Sequence, residues 1–401
     1  MPDLKGEEFY RIKRLPPYVF EEVNLLKAKL RGEGRDIIDF GFGNPDGATP
    51  QHVIDKLIET VQRPRTTGYS VSRGIMGLRQ ACARYYNRRF GVELDPATEI
   101  VATMGSKEGF ANLAQAITRP GDVILAPDPS YPLHSFGFII AGAKIKGIPA
   151  FSADEYLQGV RDYIAEADTP PMAIVVCFPS NPTGYTAGLD FYKDIVAVAK
   201  AHNIIVLSDL AYSEIYFGDP PPSIFQVEGA KDVAIETTSL SKTYSMAGWR
   251  MGFAVGSPNL IAALARVKSY LDYGAFTPIQ VAACAALDGP QDVVERNRNL
   301  YRQRRDVMVE SFGRAGWELP VPDASMFVWA PIPEPFARLG SLEFSKMLMT
   351  EADIAVSPGV GFGPNGDTHV RMALVENEQR IRQAARNLKS FFAAPGVAKA
   401  S

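Results

Sequence analysis

From residue 100 onward the chain sets short apolar runs against helical stretches, and this alternation constrains its fold more than any other feature. The runs at 100–103, 123–126, 144–149, 173–177, 204–208, 234–238 and 251–255 are strand-length, and stretches such as 105–117 and 191–202 between them read as helices or turns. Repeated strand–helix units predict an α/β fold, a mostly parallel central sheet with helices on both faces. In such a sheet, ligand groups gather beyond the strand ends.

The pattern changes at both ends. After about residue 290 come a long charged helix at 292–313, short strands around 326–330 and 355–357, a loop at 359–366, a strand at 368–373 and a terminal helix at 376–392. The first 45 residues hold a helix around 21–31 and an apolar run at 36–40, which ends in Gly41-Phe42-Gly43-Asn44-Pro45. Those glycines allow close backbone approach to another group. A large domain over 46–290 is therefore expected beside a smaller α+β domain made of 1–45 and 291–401. Between them, 49–61 reads as a helix with Thr49 as cap, Pro50 as first helical residue and Val53, Ile54, Leu57 and Ile58 facing the core.

Composition narrows the ligand class. Lys and Arg number 42 against 45 Asp and Glu, so no charge excess argues for nucleic acid or an anionic membrane. Small metabolites fit better. Cys82, Cys177 and Cys284 and the four histidines are scattered without zinc-type spacing, which predicts no metal and reduced thiols in a cytoplasmic protein. No signal-peptide pattern and no apolar span of about 20 residues is evident.

Chemistry concentrates near Lys242, in Ser239-Leu240-Ser241-Lys242, with Arg250 following in Gly248-Trp249-Arg250. Ser239, Ser241 and Arg250 offer phosphate donors, and Gly105-Ser106-Lys107 adds backbone donors where a strand gives way to a helix. The Walker spacing GxxxxGK[ST] is absent. A lysine beside a phosphate seat suits a phosphorylated aldehyde, namely pyridoxal phosphate. Asp209 at a strand end would hold a pyridine nitrogen protonated, Tyr212 and Asn181 would reach a phenolic oxygen, and Tyr131 would stack on the ring. Tyr69 would reach phosphate, and Arg371 a substrate carboxylate. Taken singly, Lys242 also reads as a surface lysine, Gly105-Ser106 as an ordinary helix start and Asp209 as a turn residue.

As an ordered set, Tyr69, Gly105-Ser106-Lys107, Tyr131, Asn181-Pro182-Thr183-Gly184, Asp209-Leu210-Ala211-Tyr212, Ser239-Leu240-Ser241-Lys242, Gly248-Trp249-Arg250 and Arg371 resemble fold-type I pyridoxal-phosphate aminotransferases. The resemblance, to the aspartate aminotransferase superfamily, runs from about Phe40 to the terminal helix. It implies that Lys242 bonds covalently to the cofactor and shuttles the substrate proton, while Asp209 contacts the pyridine nitrogen. Asn181 and Tyr212 would contact the phenolic oxygen, with Tyr131 on the ring. Gly105, Ser106, Lys107, Ser239, Ser241 and Arg250 would surround the phosphate. Gly43, Asn181 and Arg371 are the expected substrate contacts, and Tyr69 would come from the second subunit of a homodimer.

Closer wording in 43–47, 68–74, 105–109 and 268–274 resembles the bacterial glutamate-pyruvate (alanine) aminotransferases. Around Tyr270–Gly274 the chain has Tyr and Asp where aspartate-specific members can offer an arginine. The implied reaction is L-alanine plus 2-oxoglutarate giving pyruvate plus L-glutamate. LL-diaminopimelate, aspartate, methionine and aromatic amino acids are the alternative substrates, with a β-lyase or a non-catalytic binding protein as remoter alternatives.

Overall fold

The computed structural model describes residues 9–393. Its largest sheet has seven strands, in the spatial order Ile100–Thr103, Gly252–Gly256, Ala234–Ser239, Ile205–Asp209, Ala173–Val176, Val123–Asp128 and Lys144–Pro149. All run the same way except Gly252–Gly256, which is antiparallel to both neighbours. Consecutive residues supply opposite faces, as the two-residue period of a strand demands. Ile174 and Val176 enter one core, with the helices Met76–Phe90 and Leu189–His202, while Ala173 and Val175 enter another, with Ser106–Ile117 and Pro258–Leu271. The sheet is thus covered on both faces.

A second set of elements packs around its own core. Ser357–Pro358, His369–Ala373 and Phe327–Pro331 form an antiparallel sheet, and Ile38–Asp39 pairs in parallel with Ile354–Ala355. Residues of the helices Asp292–Arg314, Gly340–Ala352 and Glu378–Phe392 supply the apolar cluster against these strands. The last helix starts at Glu378 because Asn377 caps it, its side chain accepting from the Arg380 N–H.

Several local expectations need correction. Thr49 does not cap the helix Gln51–Val61; Pro50 occupies the cap position in extended backbone, and the Thr49 hydroxyl instead donates to the Ser245 carbonyl at 2.8 Å. Ile58 is 48% exposed, so the buried stripe of that helix is narrower than its apolar sequence suggests. The run at 355–357 is not one strand, since the chain changes pairing partner at Val356. The loop at 359–366 contains two short 3-10 turns, Gly359–Phe362 and Pro364–Gly366. Among the described residues no helix is long and apolar enough to cross a membrane.

Candidate active site

Every strand of the large sheet that points the common way delivers its carboxyl end to one edge, and the antiparallel Gly252–Gly256 begins there. Asp209 and Ser239 end their strands, Gly105 and Asn181 lie a few residues past theirs, and Arg250 stands two residues before the reversed one. A cleft of about 570 Å³ opens at this edge, with Ser106, Lys107, Tyr131, Asn181, Asp209, Tyr212, Ser239, Ser241, Lys242, Arg250, Gly43 and Arg371 in its wall. Residues spread over the sequence therefore converge. Tyr69 does not: it is 89% exposed and lies against Tyr273, with ring centroids 4.7 Å apart.

Lys242 belongs to the one-turn helix Leu240–Thr243, whose cap is Ser239 Oγ accepting from the Ser241 N–H. Lys242 Nζ donates to the Gly43 carbonyl at 2.5 Å. Burial, with Arg371 and Arg250 nearby, pushes its pKa down to about 8, so the neutral amine is accessible near neutrality. Beyond it, Ser245 and Arg250 adopt φ of 53° and 54°, conformations that cost about 1 kcal/mol or more each outside glycine. Around Ser245 the neighbours hold the backbone: Asn297 Nδ2 donates to the Thr243 carbonyl at 3.1 Å, and the Thr49 hydroxyl donates to the Ser245 carbonyl.

The anion seat depends on two missing side chains. A Cβ on Gly252 would lie 2.9 Å from the Ser106 amide nitrogen and 2.7 Å from the Thr238 carbonyl, so only glycine lets the helix N-terminus approach the sheet this closely. Gly105, at φ 81°, likewise leaves room for Arg250, whose Nη2 would sit 2.4 Å from an added Cβ. The Ser106 end of the helix Ser106–Ile117, the Arg250 guanidinium, Lys107 and the hydroxyls of Ser239 and Ser241 together form a cradle for a phosphate.

At the other end of the cleft floor, Asp209 Oδ2 lies 3.0 Å from His134 Nε2, and Oδ1 accepts from the Ala211 N–H at 3.2 Å. The ring of His134 is buried, and its Nδ1 has no partner. Cys177 Sγ lies within 4.8 Å of these same groups. Burial raises the Cys177 thiol well above its ordinary pKa, and its Sγ faces the Pro179 carbonyl at 3.9 Å, so the support of the Asp209 carboxylate comes from His134. Burial raises Tyr212 likewise, leaving its hydroxyl protonated to donate. Asn181 Nδ2 approaches the Tyr212 oxygen at 3.4 Å. Tyr131 has Lys107 Nζ 5.9 Å from its ring centroid.

Arg371, on the small sheet, is buried without an acidic partner among the described residues. Its Nη1 donates to Asn181 Oδ1 at 2.9 Å, and Nη2 donates to the Gly41 carbonyl at 3.0 Å and Ser357 Oγ at 3.3 Å. The rings of Phe327 and Phe362 lie 4.2 and 4.7 Å from its guanidinium carbon. All these neighbours are neutral, and burial lowers its pKa to about 10. The charge still asks for an anion.

Four contributors escaped the sequence analysis: His134, Ser357, Phe327 and Phe362, whereas Gly41 lies in the glycine turn expected to approach another group. Of the four, His134 left a usable signal, its place three residues after Tyr131. The others act through one hydroxyl and ring faces.

The aldehyde cofactor fits this geometry: an amine of lowered pKa, a phosphate cradle that an added Cβ would fill, and a buried carboxylate in the wall of the same cleft. Residues 35–388 match the family model for aminotransferase class I and II. The chain is similar to a putative aminotransferase AatC of Rhizobium meliloti, 62% identical over 96% of this chain and 95% of that protein. It is also similar to the glutamate-pyruvate aminotransferase AlaC of Escherichia coli, 52% identical over 100% of this chain and 98% of that one. Substrate-bound BacF from Bacillus subtilis superposes with a TM-score of 0.90 at 34% identity, covering 95% of this chain and 96% of BacF. The chain belongs to the class I and II aminotransferases, fold-type I pyridoxal 5'-phosphate enzymes that move an amino group between an amino acid and a 2-oxo acid.

Proposed function

We propose that the chain exchanges the amino group of L-alanine with 2-oxoglutarate, giving pyruvate and L-glutamate. The likeness to AlaC over the whole chain carries this choice. The cleft is consistent with it: among the described residues in its wall the arginines are Arg250, at the phosphate cradle, and Arg371. Among the described residues no further guanidinium lines the cleft to favour aspartate.

In this reading Arg371 grips the substrate α-carboxylate with both terminal nitrogens, and Gly43 and Asn181 complete that grip. Ser106, Lys107, Ser239, Ser241 and Arg250 hold the phosphate, with Gly105 giving them room. Tyr131 covers the ring face, and Tyr212 with Asn181 donates to the phenolic oxygen. Bound pyridoxal phosphate supplies an electron sink for the pair left when the α-proton departs. Asp209 keeps the pyridine nitrogen protonated, which deepens that sink, and His134 fixes the carboxylate's direction. Lys242 Nζ, neutral once freed, would take the proton from the substrate α-carbon and carry it, on the same face, to the carbon that held the cofactor's aldehyde oxygen.

The same reading makes 46–290 the cofactor-binding domain and 1–45 with 291–401 the smaller one, in a cytoplasmic protein. It also makes the chain a homodimer. Supporting this, Tyr69, Val71, Tyr270 and Tyr273 are all exposed on one chain, an apolar group of a kind that marks interaction surfaces. Tyr69 would then reach the phosphate of a second copy.

Half-reaction rates with alanine, glutamate, aspartate, methionine, aromatic amino acids and LL-diaminopimelate test the assignment. Alanine and glutamate should both convert the cofactor fastest. Alanine slower than any of the others by tenfold or more would overturn it.

A further inference from the structure

Lys268 is a fully buried lysine that the chemistry above does not use. A buried ammonium loses its hydration, so it persists only where charges and hydrogen bonds replace the water. Lys268 has two such partners: Nζ lies 2.8 Å from Glu108 Oε1 and 3.1 Å from Asp272 Oδ2.

The two carboxylates lead in different directions. Glu108 sits in the first turn of Ser106–Ile117, where Oε2 accepts the Met104 N–H at 2.8 Å and Oε1 also accepts from Asn112. Met104 directly precedes Gly105-Ser106, so Glu108 holds the backbone that enters the phosphate cradle. Asp272 Oδ1 accepts the Gly274 N–H at 2.6 Å, and its carbonyl accepts the Ser72 hydroxyl. Gly274, at φ 76°, presses on the Val71 carbonyl so closely that a Cβ would lie 2.5 Å from it. This is the segment on which Tyr273 meets Tyr69.

We propose that Lys268 is a positioning residue that locks a chain's own phosphate cradle to the aromatic segment the chain offers a second copy. Cofactor retention then depends on Lys268 twice, through Glu108 in the same site and through Tyr69 in the neighbouring one. The second dependence rests on the homodimer reading.

Mixed dimers separate the two routes. Pairing a Lys268→Met chain with a Lys242→Ala chain leaves one competent site, which has lost only its own Lys268. Pairing a wild-type chain with a Lys268→Met, Lys242→Ala chain leaves one competent site whose neighbour alone has lost Lys268. Against a wild-type and Lys242→Ala control, both should need at least about tenfold more pyridoxal phosphate for half-maximal activity, with kcat at saturating cofactor kept within about twofold. Glu108→Gln, which retains the Met104 acceptor but breaks the ion pair, should reproduce the first effect, and Lys268→Arg should restore much of it.

An unchanged cofactor requirement in either mixed dimer overturns the locking role, as does a kcat loss that saturating cofactor leaves in place. A Lys268→Met chain that does not fold transfers the same two outcomes to Glu108→Gln and Asp272→Asn chains in the same pairings. Sedimentation of the wild-type protein as a single chain would instead remove the homodimer reading, and with it the second route, while a raised cofactor requirement in the single chain would leave the first standing.

Discussion

The cofactor end of the cleft and the carboxylate end solve the problem of holding an anion in opposite ways. At the phosphate cradle, charge is spread over a helix terminus, hydroxyls, Lys107 and a half-open Arg250, and much of the design lies in the side chains that Gly105 and Gly252 lack. At Arg371 a single buried guanidinium stands among neutral acceptors and ring faces. The first site suits a ligand that stays. On the function proposed above, the second would hold its charge ready for a substrate carboxylate, a group that both amino acids and oxo acids carry.

The amine lies between these ends, and losing it should have the largest effect. Lys242→Ala should lower turnover by about ten-thousand-fold while cofactor still binds; absorbance changes in single-turnover half-reactions measure this, and appreciable conversion without added amine would remove Lys242 from its role. Next comes the contrast itself. Arg371→Leu should cut kcat/KM for amino acids about a hundredfold or more yet leave cofactor affinity within about twofold, and Arg371→Lys should rescue poorly, because an ammonium cannot make the two-pronged contact.

Because Arg371 has no acidic partner among the described residues, the Leu variant strands no carboxylate, and its calorimetric midpoint should fall only by a few degrees, through the lost hydrogen bonds to Asn181, Gly41 and Ser357. His134→Phe should slow proton abstraction about tenfold with little change in KM, since it acts on Asp209 and not on the substrate. Equal losses in amino-acid binding would contradict that route.

The smallest effect is one of pH. With the Lys242 pKa at about 8 in place of the ordinary 10.5, the neutral fraction rises with pH and levels off above 8. Labelling of Lys242 by a limiting amine reagent in the cofactor-free protein should therefore rise about fivefold between pH 7 and 8, then little further. A midpoint near 10 would show that neither its burial nor the two arginines act on it as the structure implies.

The same contrast governs what was legible beforehand. Strand ends announce themselves as short apolar runs closing on a polar residue, so Asp209, Ser239 and Gly105 could be placed from sequence. Periodicity carries no direction, however, and the reversal of Gly252–Gly256 was invisible. The contacts to Arg371 were harder still: the glycine turn at Gly41 signalled a close approach without naming its partner, and Ser357 resembles any serine. His134 went unrecognised because the histidines were weighed only for metal spacing. Thr49 was misassigned because its hydroxyl finds a distant carbonyl instead of its own helix, a tertiary preference that no local pattern encodes.

Reversal of Gly252–Gly256 also has a consequence for what the chain will tolerate. The polypeptide leaves the sheet at Ser239 and re-enters at Gly252 on the same edge, so one short detour carries both the amine and the phosphate guanidinium. Lengthening that detour would change their separation directly. Connections at the opposite edge, such as the one between Asp122 and Thr118, touch neither group. Insertions should be accepted on one rim of the sheet and rejected on the other, a polarity set by the direction of a single strand.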